Sequence, residues 1–130
     1  MSEKSCVVIG ASHAGVSLAM QLRKEGWEGG IVVIGAESEL PYHRPPLSKE
    51  HLAGEKALDE MRLRPEKMFV DNKIELKLGL TVLQIDAEKK RVVLSDGQEV
   101  SYEKLALCTG SKVKTIPMGA SLENIFYIRT

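Results

Sequence analysis

Cysteine is scarce in this chain: Cys6 and Cys108 are the only two among 130 residues. They are far apart, each sits in an apolar run, and neither belongs to a C-x-x-C pair. A disulfide scaffold, a four-ligand zinc site and a dithiol redox centre are thereby excluded. An excess of charge is also missing, since 18 basic side chains face 18 acidic ones and the formal net charge is zero. A nucleic-acid or anionic-membrane surface needs a clustered basic excess, so neither partner is expected. No apolar stretch approaches the eighteen residues of a membrane span, and the run after the N-terminus is too short for a secretory signal. Internal repeats, low-complexity stretches and flexible linkers are absent as well. What is present is ordinary globular material: 43% hydrophobic and 28% charged residues, enough for a single domain, 1–130, with a real core. A soluble cytoplasmic protein is expected.

The chain opens on Cys6-Val7-Val8-Ile9, a continuous β-branched run of the kind that forms a strand covered on both faces of a parallel sheet. A helical pattern follows and ends near Glu25. Ala14, Leu18 and Leu22 fall on one face, flanked by Gly15 and Ala19, and Gly26 is placed as a left-handed cap. Ile31-Val32-Val33-Ile34 is a second buried strand, which completes a βαβ unit. Residues 36–64 turn to charges, prolines and short helical pieces, the composition of a functional loop region. Pro65 stands in the first turn of a helix over 65–70. Strands are expected at 74–77, 80–87, 91–94 and 99–102, with Ser95-Asp96-Gly97-Gln98 as a hairpin turn. Leu105-Ala106-Leu107-Cys108 is another buried run, and 124–129 is strand-like. The expected class is α/β: a parallel, Rossmann-like sheet with a three-stranded antiparallel β-meander.

The turn after the first strand, Gly10-Ala11-Ser12-His13-Ala14-Gly15, matches G-x-G-x-x-G with serine at the second glycine. Such a turn brings free amide groups and the positive end of a helix dipole against a pyrophosphate. Its context strengthens it, because it follows a strand and opens a helix. Glu37 lies 22 residues after Gly15 at the end of the second strand, where a carboxylate can accept both hydroxyl hydrogens of an adenosine ribose. Glu39 is the alternative. His13, His43 and His51 lack metal-ligand spacing and companion ligands, and read as surface or loop histidines; His13 alone, at the helix start, has a plausible contact with phosphates. Cys6 and Cys108 read as buried strand residues and Trp27 as a packing residue. No metal site and no proton-transfer triad are found.

Leu40-Pro41-Tyr42-His43-Arg44-Pro45-Pro46-Leu47-Ser48-Lys49 resembles the PY-x-RPPLSK signature of ferredoxin and rubredoxin reductase-type flavoproteins. These include the NADH-dependent reductase components of ring-hydroxylating dioxygenases and monooxygenases, and the related apoptosis-inducing-factor flavoproteins. The resemblance also takes in VVIGASHAGVSLAMQLRKEGWEGGIVVIG, VVLSDGQEVSYEKLALCTG and the final FYIRT, in the family's order. It implies that Gly10, Ser12, Ala14 and Gly15 line the pyrophosphate of FAD and that Glu37 holds its adenosine ribose. Arg44 would approach the ribose and phosphates with its fixed fork. Pro45 would lie beside the isoalloxazine, Lys49 near the flavin, Val82 at the adenine, and Thr109-Gly110 over the cofactor.

The resemblance further implies an oxidoreductase that passes electrons from NAD(P)H through FAD to a ferredoxin- or rubredoxin-like iron–sulfur protein. This sequence departs from the pattern in three places: Ser12 for the second glycine, Ala36 where many relatives carry an acid, and Cys108 for the usual alanine before Thr109-Gly110. No second glycine-rich loop follows. The chain is therefore expected to be the N-terminal half of a bipartite FAD domain, without the NAD and C-terminal domains. On its own it would bind FAD weakly or not at all, would be inactive, and would tend to pair as a homodimer through bared surfaces. Two other functions compete: the NAD-binding domain of a dehydrogenase, and a non-enzymatic dinucleotide-binding module.

Overall fold

The computed structural model describes residues 4–112 and Arg129. The predicted strand at 124–129 lies outside these residues except for Arg129. Four strands, β1 (Cys6–Ile9), β2 (Ile31–Gly35), β3 (Ile74–Leu78) and β7 (Lys104–Leu107), form a parallel sheet in the order β3-β2-β1-β7. A second sheet is antiparallel, ordered β4 (Val82–Asp86), β5 (Arg91–Leu94), β6 (Glu99–Ser101). Among the described residues, two helices, α1 (His13–Lys24) and α2 (Glu66–Asp71), and short 3-10 turns at Pro45–Ser48 and Leu58–Met61 accompany the sheets. The expected α/β class with a β-meander is what forms.

The continuous apolar runs of β1 and β2 follow from the layers around them. Successive side chains of a strand point to opposite faces, and both faces here are covered. Cys6, Val8, Ile31 and Val33 pack with Val16 and Ala19 of α1 and Phe69 of α2. Val7, Val32 and Ile34 pack instead against Val92 and Leu94 of the meander. Burial of each such side chain contributes about 1.5–3 kcal/mol, so helices, sheet and meander form three mutually dependent layers.

Several expectations change in detail. Helix α1 begins at His13, inside the glycine loop, and its inward face is Gly15, Val16 and Ala19. Ala14 is exposed, because the buried face of α1 runs through Gly15, Val16 and Ala19. Pro65 caps α2 from outside it, extended at φ −62, ψ 147. The predicted buried run 105–108 is an edge strand instead: β7 ends at Leu107, which is 63% exposed, because only β1 flanks it among the described strands. Cys108 follows the strand, half-buried, while Cys6 is buried as expected. Trp27 packs against the core, and its indole N–H donates to the Gly30 carbonyl at 3.1 Å.

Candidate dinucleotide site

The chain runs from β1 to β2 and β3 on one side of the sheet and returns to place β7 on the other side of β1. Crevices at the carboxyl ends of strands form where the order switches in this way. The three strand exits are held side by side. The Gly10 amide donates to Ile34 O at 2.8 Å, and the Cys108 amide donates to Ile9 O at 2.8 Å. Glycine is required at position 10, because φ is +121° and a Cβ would stand 1.9 Å from the Cys108 carbonyl oxygen. Gly15 packs the helix start onto the Gly10 carbonyl, where a Cβ would lie at 1.8 Å. It is thus buried beneath the turn and lines neither cavity.

Two cavities open at these strand ends and share Ser12, Arg44, Cys108, Thr109, Gly110 and Arg129. The smaller, about 350 Å³, runs over Gly10, Glu37, Glu39, Tyr42 and Val82. The larger, about 800 Å³, is bounded by His13, Ala14, Pro45 and Leu47. Both volumes fall in the range of small-molecule sites. Ten of the twelve predicted site residues thus line one continuous cleft. Lys49 is exposed and lines neither cavity.

Glu37 is fixed from several directions. The turn after β3 extends the ladder past β2: Gly79 N–H donates to Glu37 O at 2.9 Å and Leu80 N–H to Gly35 O at 3.0 Å. At the carboxylate, Arg44 Nη2 donates to Oε1 at 2.6 Å and the Tyr42 hydroxyl donates to Oε2 at 2.7 Å. Arg44 Nη1 donates in turn to the Tyr42 oxygen at 3.2 Å and to Arg129 O at 2.7 Å. Burial, reinforced by the hydrogen bond to Glu37, pushes the Tyr42 phenol up to about 12, so it remains a donor at neutral pH. Sequence reasoning passed over Tyr42, although the signature segment contained it. Its ring is buried with Leu47 and Met61 in a small cluster that packs the 36–64 loop.

These residues fit the diphosphate-ribose portion of a dinucleotide. Arg44 Nε is buried without a hydrogen-bond partner, the only such side-chain atom among the described residues, and Arg44 lines both cavities. A buried donor left open in this way suits an oxygen acceptor of a ligand. Ser12 starts α1 without a side-chain cap, and the first turn carries no acid. The leading amides of α1 therefore face the cleft unpaired within the helix. A carboxylate has about four lone-pair sites; Arg44 and Tyr42 take one on each oxygen, which leaves one on each for a ribose diol.

Residues 4–130 match the pyridine nucleotide-disulphide oxidoreductase family. The chain belongs to that family. It is 40% identical over 125 residues to a ferredoxin–NAD(P)(+) reductase from Sphingomonas, covering 95% of this chain and 30% of that protein. Identity to a rubredoxin–NAD(+) reductase from Pseudomonas putida is also 40% over 125 residues, covering 95% and 32% respectively. Among solved structures, the ferredoxin reductase for the CYP199A2 system of Rhodopseudomonas palustris superposes with a TM-score of 0.92 and 37% identity, over 98% of this chain and 31% of that one. The reductase chain of a covalent putidaredoxin reductase–putidaredoxin complex gives 0.86 and 35%, over 92% and 29%. The chain thus spans about a third of the length of the relatives it matches.

Proposed function

We propose that this chain holds the adenosine diphosphate half of FAD in an NAD(P)H-dependent reductase whose electron acceptor is a ferredoxin- or rubredoxin-like iron–sulfur protein. The reading rests above all on Glu37, whose carboxylate is bracketed by Arg44 and Tyr42 beside a cleft that receives the open amides of α1. The names of the relatives supply the reductant and the class of acceptor. FAD, when bound, accepts a hydride and releases electrons singly. Within the site, Glu37 orients the ribose, the Gly10–Gly15 turn and Arg44 take the diphosphate, Val82 abuts the adenine, and Pro45 and Thr109-Gly110 flank the flavin side.

The chain corresponds to the first half of an FAD domain, and the flavin side of the site depends on residues outside it. Free thiols at Cys6 and Cys108 suit a cytoplasmic protein. Exposed Leu83, Ile85 and Leu107 favour self-association of the isolated chain.

Calorimetric and fluorescence titration of nucleotide-free protein tests this reading. ADP should bind and displace FAD, whereas FMN should not. NADH with an artificial acceptor and excess FAD should give no rate above that of free flavin. FMN displacing FAD where ADP fails would overturn the adenosine assignment, and brisk NADH oxidation would overturn the half-site assignment.

A further inference from the structure

His43 has no place in the site as the sequence presents it, yet the structure joins it to His13. His13 opens α1 and lines the larger cavity, and His43 stands 30 residues later on the loop that carries Arg44. Nε2 of His13 lies 3.3 Å from Nδ1 of His43, and the ring centroids are 5.3 Å apart at an interplanar angle of 57°. Backbone bonding anchors the segments that carry them: His43 N–H donates to Met61 O at 2.6 Å, and the Ser12 carbonyl, next to His13, accepts from Val16 N–H at 2.9 Å. Two neutral imidazoles share such a contact through one N–H. A single added proton strengthens it, because an imidazolium N–H then donates to a neutral ring nitrogen.

The surroundings decide when that proton is held. Arg44 faces the pair from its own loop, and Arg129 and Cys108 stand on other walls of the larger cavity. Among the described residues no carboxylate lines that cavity. Partial burial, then His43, then Arg44 hold His13 below the ordinary imidazole range. Folding therefore favours its neutral form, and the stability this contributes is lost as pH falls below about 6.5, where the unfolded chain takes the proton more readily. A diphosphate carries two negative charges, and an opposite charge nearby favours the protonated ring. By linkage, a ligand that promotes protonation binds more tightly as protons become available.

We propose that His13 and His43 form a proton-linked clamp on the dinucleotide's diphosphate. His13 reaches the phosphates, His43 is its positioning partner, and binding favours the protonated form of His13. This rests on the dinucleotide reading above and adds to it a residue, His43, and a proton.

The probe is ADP-ribose, whose diphosphate diester does not itself titrate in the histidine range. Calorimetry on the nucleotide-free chain, in two buffers of different ionisation enthalpy, should show net proton uptake near pH 6 that fades toward pH 8. Affinity should rise about three- to tenfold from pH 8 to pH 6, since one unit of pKa displacement is a factor of ten. Adenosine, which lacks phosphates, should show no such rise. His13→Gln and His43→Asn keep a polar atom near each bonded ring nitrogen and should flatten the profile. A proton NMR titration of the unmodified chain needs no variant: one histidine midpoint should move up when ADP-ribose is added. A flat profile in the unmodified chain, or an unaltered slope in both variants, would overturn the clamp. If ADP-ribose fails to bind at any pH while circular dichroism shows an intact fold, the dinucleotide reading itself falls.

Discussion

Replacing Glu37 by glutamine keeps the size and shape of the side chain and removes its charge, so it isolates the role of the carboxylate. In the native site Arg44 donates to one oxygen at 2.6 Å and Tyr42 to the other at 2.7 Å. Each oxygen keeps a lone pair for a ribose hydroxyl. Glutamine offers a single oxygen with two lone pairs, and Arg44 takes one of them. Its amide group must then face Tyr42, whose oxygen can turn to accept. One ribose hydroxyl loses its acceptor and the other meets a neutral one. Hydrogen bonds to a charged group are worth about 1.5–3 kcal/mol, which corresponds to a loss of about tenfold to a hundredfold in ADP affinity.

Inorganic pyrophosphate, which has no ribose, should bind the Glu37→Gln chain as well as before or more tightly, because Arg44 is released from its ion pair. A cycle with 2′-deoxy-ADP separates the contributions: the missing hydroxyl should matter for the native chain and matter much less for the variant. The ion pair itself is partly exposed, so its loss should cost stability no more than about 1 kcal/mol. Calorimetry showing ADP affinity within twofold of native would refute the ribose assignment.

Three other perturbations test separate parts of the account. Tyr42 should ionise near 12, later than an ordinary tyrosine, so stability that depends on its protonated form is lost as pH rises from about 10 toward 12; absorbance titration should show a late phase that Tyr42→Phe abolishes. Gly10→Ala should abolish ADP binding and lower stability by roughly 2 kcal/mol or more, since left-handed strain adds to a 1.9 Å approach to Cys108 O, and a native-like melting curve would contradict this. Arg23 donates to the carbonyls of Trp27, Gly29, Asn72 and Lys73, at 2.7 to 3.1 Å, at the opposite end of the sheet; Arg23→Lys should lower the melting temperature by several degrees and leave ADP affinity unchanged.

Much of the fold is written in local pattern. The runs at Cys6–Ile9 and Ile31–Gly35 are apolar at every position because helices cover one face and the meander the other, and no alternating strand would satisfy both. Gly10 and Gly15 sit in the sequence where backbone must meet backbone, and Glu37 stands at the spacing that one helix and one strand enforce. Such features depend on residues close in sequence, or on a periodicity that repeats along one element, and they are legible without coordinates.

What only the folded chain decides is which distant residues meet. The same apolar composition that marks β2 as buried marks 105–108 too. Yet β7 is flanked by β1 alone among the described strands, so Leu107 reaches solvent and Cys108 lines the cleft. Arg23 carries no sequence signal, because its carbonyl partners near position 72 are brought within reach only when α2 and β3 dock beside α1. Tyr42 and Arg44 acquire their charge partner, and His43 its ring partner, through a loop whose course is set by burying Tyr42, Leu47 and Met61 together. Pairing across 30 residues is a property of where the loop is packed, and that packing energy is shared among residues no local pattern connects.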